Sequence, residues 1–402
     1  MAMTSNIVGT TDFTVIEGRS RGFYVLVACL AVVIAAGLWG AHTMDVEGHH
    51  VTGMSNQIVW GIPHVFAVFL IVAASGALNV ASLSSAMGQK IYTPYARLSG
   101  LLAMALLIGG LAIIMLDLGR PDRLMVALTH FNMKSVFAWN VFLYTGFLAL
   151  AGLYLWTLME RRMNPMTKPV GVVLLIWRLT LTTGTGLIFG VLVAREAYDI
   201  LIMSPLFIAM SLSFGTAAYM LLMMASFERT GRRLDDTVVL GLKRLLAIFV
   251  LIVLGFVIIL HATKLYSVAY QGVERFLLVD GGVITALLWL VQIAAGTLAP
   301  LVLMLWRRTA SSRAWIGVAS ALVLIGGLAQ VYVIIIGGQA FPLQIFPGKE
   351  VIESSFYDGV VAHYSPSLPE LSLALGGVAL SLILVVLSMK VLPFLPQVRT
   401  AD

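Results

Sequence analysis

LLAMALLIGGLAIIMLDLGRPDR, residues 101–123, decides the fold. Residues 101–116 hold no charge, whereas the next seven hold Asp117, Arg120, Asp122 and Arg123. With the residues before it the apolar run covers 96–117, and about 20 such residues are what an α-helix needs to cross a bilayer core. The run is continuous rather than alternating, and in lipid a segment must pair its own backbone groups, so it reads as a helix and not a strand. Pro121 disfavours helix at Arg120 and Gly119 is a natural C-cap, so the helix is predicted to end within DLGR with Asp117 in its last turn.

The rest of the chain repeats this pattern. Apolar runs of spanning length lie at roughly 23–43, 58–84, 96–117, 136–159, 170–194, 203–227, 245–266, 281–306, 314–338 and 371–391. The 402 residues are 60% hydrophobic and 11% charged, with a mean hydropathy of +0.97, too apolar for a soluble globular chain. The expectation is an all-α integral membrane protein of about ten transmembrane helices forming a single polytopic domain. GLAIIML (110–116) and GFVIIL (255–260) lie in runs that each begin beside an arginine, Arg97 and Arg244. This faint repeat predicts two four-helix bundles, spans 2–5 and 6–9, with two peripheral helices.

Positive charge sets the orientation. With the N-terminus cytoplasmic, seventeen of the 25 lysines and arginines fall in inner segments and seven in outer ones, with Arg178 inside a span. The positive-inside bias therefore places both termini in the cytoplasm of a cell inner membrane. Arg120, Arg123 and Lys134 then sit together on the disfavoured side, so something other than topology holds them there. The net charge of +6 belongs to short loops and implies no nucleic-acid partner. The polar start MAMTSNIVGTTDFTVIEGRSR lacks the order of a cleavable signal, so the first run is expected to be retained as a helix. Residues 339–370 are read as an ordered outer cap or docking surface.

Cys29 is the single cysteine, which excludes an internal disulfide, a cysteine-ligated cluster and a CxxCH haem attachment. Iron–sulphur or c-type haem chemistry therefore has to come from partners. No covalently bound cofactor and no metal site are expected; HH at 49–50 lacks zinc-ligand spacing. His64, His261 and His42 are loose candidates for haem b, but none recurs along its helix as a two-haem bundle requires.

Ionisable groups at membrane depth mark candidate function. At Asp117 the negative helix end and partial desolvation favour the protonated carboxyl, while Arg120 favours the ionised one. Two readings stand side by side: a proton-exchanging group, or an ion pair with Arg120 that closes the helix. His64, in WGIPHVFAVF, starts span 2 from the same side; it is either a proton acceptor or a hydrogen-bonded interfacial residue. His261 and Lys264 hold the matching end of span 7. Span 5 carries Arg178, Thr182 and Thr185, which either line a proton path or let helices approach closely.

WGIPHVFAVF, LDLGRPDR (116–123) and HFNMKSVFAWNVF (130–142) together resemble the NrfD/PsrC family of membrane subunits of polysulphide-reductase-like complexes. With the ten spans and the FPLQIFPG loop, the chain looks most like the DsrP type found in sulphite-reduction-associated complexes. The resemblance implies a non-autonomous subunit of a menaquinol or other quinone oxidoreductase complex of sulphur metabolism. It would have no redox cofactor of its own and would pass electrons between the quinone pool and a periplasmic ferredoxin-like iron–sulphur subunit, with a multihaem cytochrome c among further partners. Asp117 and His64 become the candidate catalytic pair. Arg120, Arg123, His130, Trp139 and Tyr144 become candidates to border the quinone; Arg178, Thr182, Thr185, His261 and Lys264 remain the candidate proton path. Some relatives carry a histidine deeper in span 2, where this chain has Ala73, Ala74 and Ser75. The alternatives are a secondary transporter, supported by Arg178, and a passive anchor for extrinsic redox subunits.

Overall fold

Apolar runs bounded by charge, glycine or proline become helices here because a helix pairs its own backbone in lipid. The computed structural model describes residues 12–342 and 360–397. Ten helices among them are long and apolar enough to cross a membrane. They are α1 (Arg21–Glu47), α2 (Ile62–Ser85), α3 (Lys90–Leu116), α4 (Val136–Met159), α5 (Arg161–Gly190), α6 (Met203–Arg229), α7 (Asp236–Tyr266), α8 (Val283–Leu305), α9 (Arg313–Ala340) and α10 (Leu368–Val391). The chain is an all-α integral membrane protein.

Helix α2 packs on α3, α3 on α4, α4 on α5, and α5 back on α2. Likewise α6 packs on α7, α7 on α8, α8 on α9, and α9 back on α6. The α2–α6 contact joins these two sets; α1 lies against α10, which rests on α2 and α3. At the α2–α6 crossing Gly76 faces Gly215, and a Cβ on Gly76 would overlap the Ser211 carbonyl. Close packing of small residues holds helices together in lipid, where apolar surface alone gives little drive.

The two ends of the bundle differ. At one end β1 (Asp12–Thr14) pairs antiparallel with β2 (Leu395–Gln397). Arg97 lies 3.7 Å over the Phe13 ring and donates to Pro393 O at 3.1 Å, while Arg232 donates to Leu395 O and Thr14 Oγ1, each at 2.8 Å. At the other end Ser367 and Glu370 form a capping box on α10, and buried Glu370 also accepts from Gly53 N and Tyr364 Oη, each at 2.7 Å. Burial and Glu370 push the Tyr364 hydroxyl well up, so it remains a donor. This ties residues 360–370 to the segment between α1 and α2; of the expected cap over 339–370, residues 343–359 lie outside the described residues.

Two local features depart from the expectation. Helix α3 ends at Leu116 with Asp117 as its C-cap, the Asp117 N–H still reaching Ile113 O at 3.0 Å. Gly119 does not take a left-handed conformation, because Pro121 starts a separate turn, Pro121–Arg123, that leads into a short helix, Leu124–Thr129. In addition, α8 is π-helical over Leu287–Leu298 and α9 over Val333–Gly337. An all-apolar run does not reveal this, since every position on such a helix suits lipid or core alike.

Candidate functional site

Asp117 is 6% exposed although it ends its helix. Its buried carboxylate meets histidines from two other segments. His64, in the first turn of α2, places Nδ1 3.0 Å from Oδ2; His49, in the turn after α1, places Nε2 3.0 Å from the Asp117 carbonyl and 3.9 Å from Oδ1. The His64 contact has ion-pair distance without hydrogen-bond alignment, so neither carboxylate oxygen accepts a well-formed bond among the described residues. A buried carboxylate left in that state is a strong acceptor with unmet capacity. The His64 side chain is 27% exposed, so the imidazole is the face of the pair that a ligand from outside can reach.

Aromatic rings wall this position. Trp60 lies 6.4 Å from the His64 ring at an interplanar angle of 29°, and it touches Phe137 of α4, Phe189 of α5 and Tyr198 of the loop after α5. Gln339 fixes the Trp60 backbone: its Oε1 accepts from Val59 N and Trp60 N, and its Nε2 donates to Trp60 O, all at 3.0 Å. Arg195 reinforces the same corner by donating to Gln57 O at 2.5 Å. Its burial draws the guanidinium below its ordinary value. The assembly offers a proton acceptor backed by a buried carboxylate beside a flat aromatic face.

Residues 50–343 match the family model described as polysulphide reductase, NrfD. The chain belongs to the NrfD family. Three curated relatives align over nearly their whole length. The Hdr-like menaquinol oxidoreductase integral membrane subunit of Archaeoglobus fulgidus is 28% identical over 96% of this chain and 97% of its own. A putative membrane subunit of dimethyl sulfoxide reductase from Halobacterium salinarum is 24% identical, over 93% and 91%. A selenate reductase subunit from Mesobacillus selenatarsenatis is 20% identical, over 92% and 93%.

In this NrfD chain the remaining expected residues separate. Arg120 does not reach Asp117; it pairs with Asp122 at 3.4 Å, both side chains mostly exposed. Arg123, in the same outward turn, makes no ion pair among the described residues. The ion-pair reading of Asp117 with Arg120 is therefore corrected: the turn at Pro121 carries both guanidinium groups away, and His49 and His64 take their place. Among the described residues the His130 ring nitrogen contacts only Thr129, at 3.1 Å. Trp139 donates to Met133 O and joins Phe131 and Phe142 in a half-exposed cluster. Tyr144 is half-buried and packs against the core of the bundle. Trp60 borders His64 instead, with Phe137 behind it.

Arg178 serves the helix contacts. Its Nη1 donates to Ser75 O at 2.8 Å and to Asn79 Oδ1 at 2.9 Å, where α2 is interrupted at Leu78. Asn79 in turn donates to Leu212 O and Thr216 Oγ1 of α6. Thr182 and Thr185 return their hydroxyls to the carbonyls of Arg178 and Leu181 within α5, and the Thr182 hydroxyl also meets that of Ser75 at 2.7 Å, so Arg178 and Thr182 join α5 to α2. His261 and Lys264 do sit together, beside Glu274. Sequence reading missed His49, Trp60, Gln339 and Glu274; the only signal was that Trp60 stands inside the WGIPHVF motif.

Proposed function

We propose that this chain is the quinone-reactive membrane subunit of a multi-subunit redox complex. The carrying observation is the buried Asp117 carboxylate with His64 presented in front of it and Trp60 beside that imidazole. A quinol head group needs a proton acceptor at its hydroxyl and a flat apolar wall. His64 takes the hydroxyl proton, and Asp117 orients the imidazole and stabilises its charged form. Oxidation of one quinol releases two protons and two electrons; the protons leave by way of His64, and the electrons pass to an external iron–sulphur subunit. The relative named a menaquinol oxidoreductase subunit supports menaquinol as the substrate class, with the reverse reaction, quinone reduction, using the same groups.

The finer reading is a DsrP-type subunit of a sulphur-metabolising complex in the cell inner membrane. The basic bias supports a cytoplasmic side for both termini, and the pairing of β1 with β2 is consistent with one side for both. A periplasmic ferredoxin-like subunit and a multihaem cytochrome c dock at the Asp117 end. The test is quinol-dependent reduction of the partner clusters in an assembled complex carrying Asp117→Asn, with assembly monitored in parallel. Loss of reduction with intact assembly supports the reading, and unchanged reduction overturns it.

A further inference from the structure

A second buried imidazole–carboxylate pair lies in the other helix set. Nδ1 of His261, near the end of α7, is 2.6 Å from Oε2 of Glu274, which stands in the short helix Gln271–Arg275 just beyond α7. Glu274 is fully buried, and its Oε1 has no partner among the described residues. Among the same residues Gln292, on the π-helical stretch of α8, leaves Oε1 unpaired, and Gln330 of α9 leaves Nε2 unpaired; both are more than nine-tenths buried. These three side chains line one cavity of about 30 Å³ together with His261 and Lys264. The rest of the wall is apolar, and a space of that size holds one or two waters, which would bridge the polar atoms left without partners. The Lys264 ammonium donates to the Ala197 carbonyl on the remaining side.

We infer that this cavity is a second, enclosed proton-binding site, holding an exchangeable proton on the His261–Glu274 pair through waters bound to Gln292 and Gln330. The charged groups around it are few. Helix α7 contributes His261 and Lys264, the short helix contributes Glu274, and the residues that α6, α8 and α9 place on the wall, Gln292 and Gln330 among them, carry no charge. With Lys264 charged and Glu274 ionised the cluster is neutral, so one added proton goes onto the imidazole–carboxylate pair and leaves again without an unpaired buried carboxylate. His261, with 16% of its side chain exposed, is the exit to the surface. The cavity lies between helices with no aromatic wall of its own, and its size excludes a quinone ring, so the ligand class is the proton and its water. The inference does not depend on the quinone reading of His64.

The test is infrared difference spectroscopy of the purified full-length chain between about pH 5 and about pH 9, the range spanned by ordinary histidine titration. The expected result is a carboxyl signal, sensitive to deuterium exchange, that is lost in Glu274→Gln and kept in Asp117→Asn. Gln330→Leu, which removes one water partner and keeps both titrating groups, is expected to move the midpoint of that signal. A spectrum unchanged by Glu274→Gln overturns the inference. If Glu274→Gln does not fold, an unmoved midpoint in Gln330→Leu overturns it instead.

Discussion

The two imidazole–carboxylate pairs are built from the same chemistry and placed in opposite surroundings. At Asp117 the acid caps a helix, the histidines arrive from other segments, and the His64 imidazole faces outward beside Trp60. At Glu274 the histidine belongs to the helix end, the acid follows in the next short helix, and Lys264 and two glutamines close the space. The proposed roles follow from that contrast: a ligand with a ring at the first pair, protons and water at the second. The loop after α5 runs between them: Ala197 accepts from Lys264, and Tyr198 lies 6.4 Å from Trp60 and donates to Ile335 O. What a buried carboxylate does is thus set by what stands on the open side of its histidine.

The comparison breaks most readily in the acids. Asp117→Asn is expected to lower quinol-dependent reduction of partner clusters by at least about 100-fold, the usual scale for losing a positioned acid–base group. Glu274→Gln is expected to leave quinol-analogue affinity within a few-fold. Equal losses of affinity in both variants would merge the two pairs into one function. A test of the fold itself comes next: Gly76→Val puts a side chain into the Ser211 carbonyl at the joint between the helix sets, and the expected outcome is failure to recover a monodisperse protein in detergent.

A smaller effect is expected at Gln339. Gln339→Leu removes three bonds to the backbone at Trp60 and Val59, leaving groups unmet at a cost of about 2 kcal/mol in thermal unfolding. Because Trp60 is freed, KM for the quinol should rise with little change in kcat in the assembled complex; an unchanged KM would remove the positioning role. The smallest effect is expected at Arg120, whose exposed pair with Asp122 leaves Asp117 untouched. Arg120→Ala should preserve quinol binding in the isolated chain, and a large loss there would restore the guanidinium to the site.

The helices were legible because each apolar run is long, uninterrupted and bounded by charge, and lipid leaves such a run one way to satisfy its backbone. Asp117 and His64 were legible for a related reason: they are ionisable groups where spanning helices end. Their partners were not. His49 and Trp60 come from the turn region before α2, and nothing in sequence spacing says that the chain folds them back onto Asp117. Arg120 misled because proximity in sequence suggests a pair that the turn at Pro121 prevents. Glu274 was hidden because nothing in VERF (273–276) signals burial; the short helix that carries it turns back onto α7, where it meets His261. The π-helical turns that bring Gln292 and Val333 to the cavity leave no periodicity in an apolar run.

In the proposed function the quinol head group sits against His64 and Trp60. Equilibrium titration of the purified chain with a quinol analogue, read by tryptophan fluorescence, tests it most directly. Eight tryptophans are present, so Trp60→Phe identifies the reporter. Saturable quenching is expected, lost in Trp60→Phe, weakened at least about tenfold in His64→Ala and retained in Glu274→Gln. Quenching of the same affinity and amplitude in the His64 and Trp60 variants would contradict it.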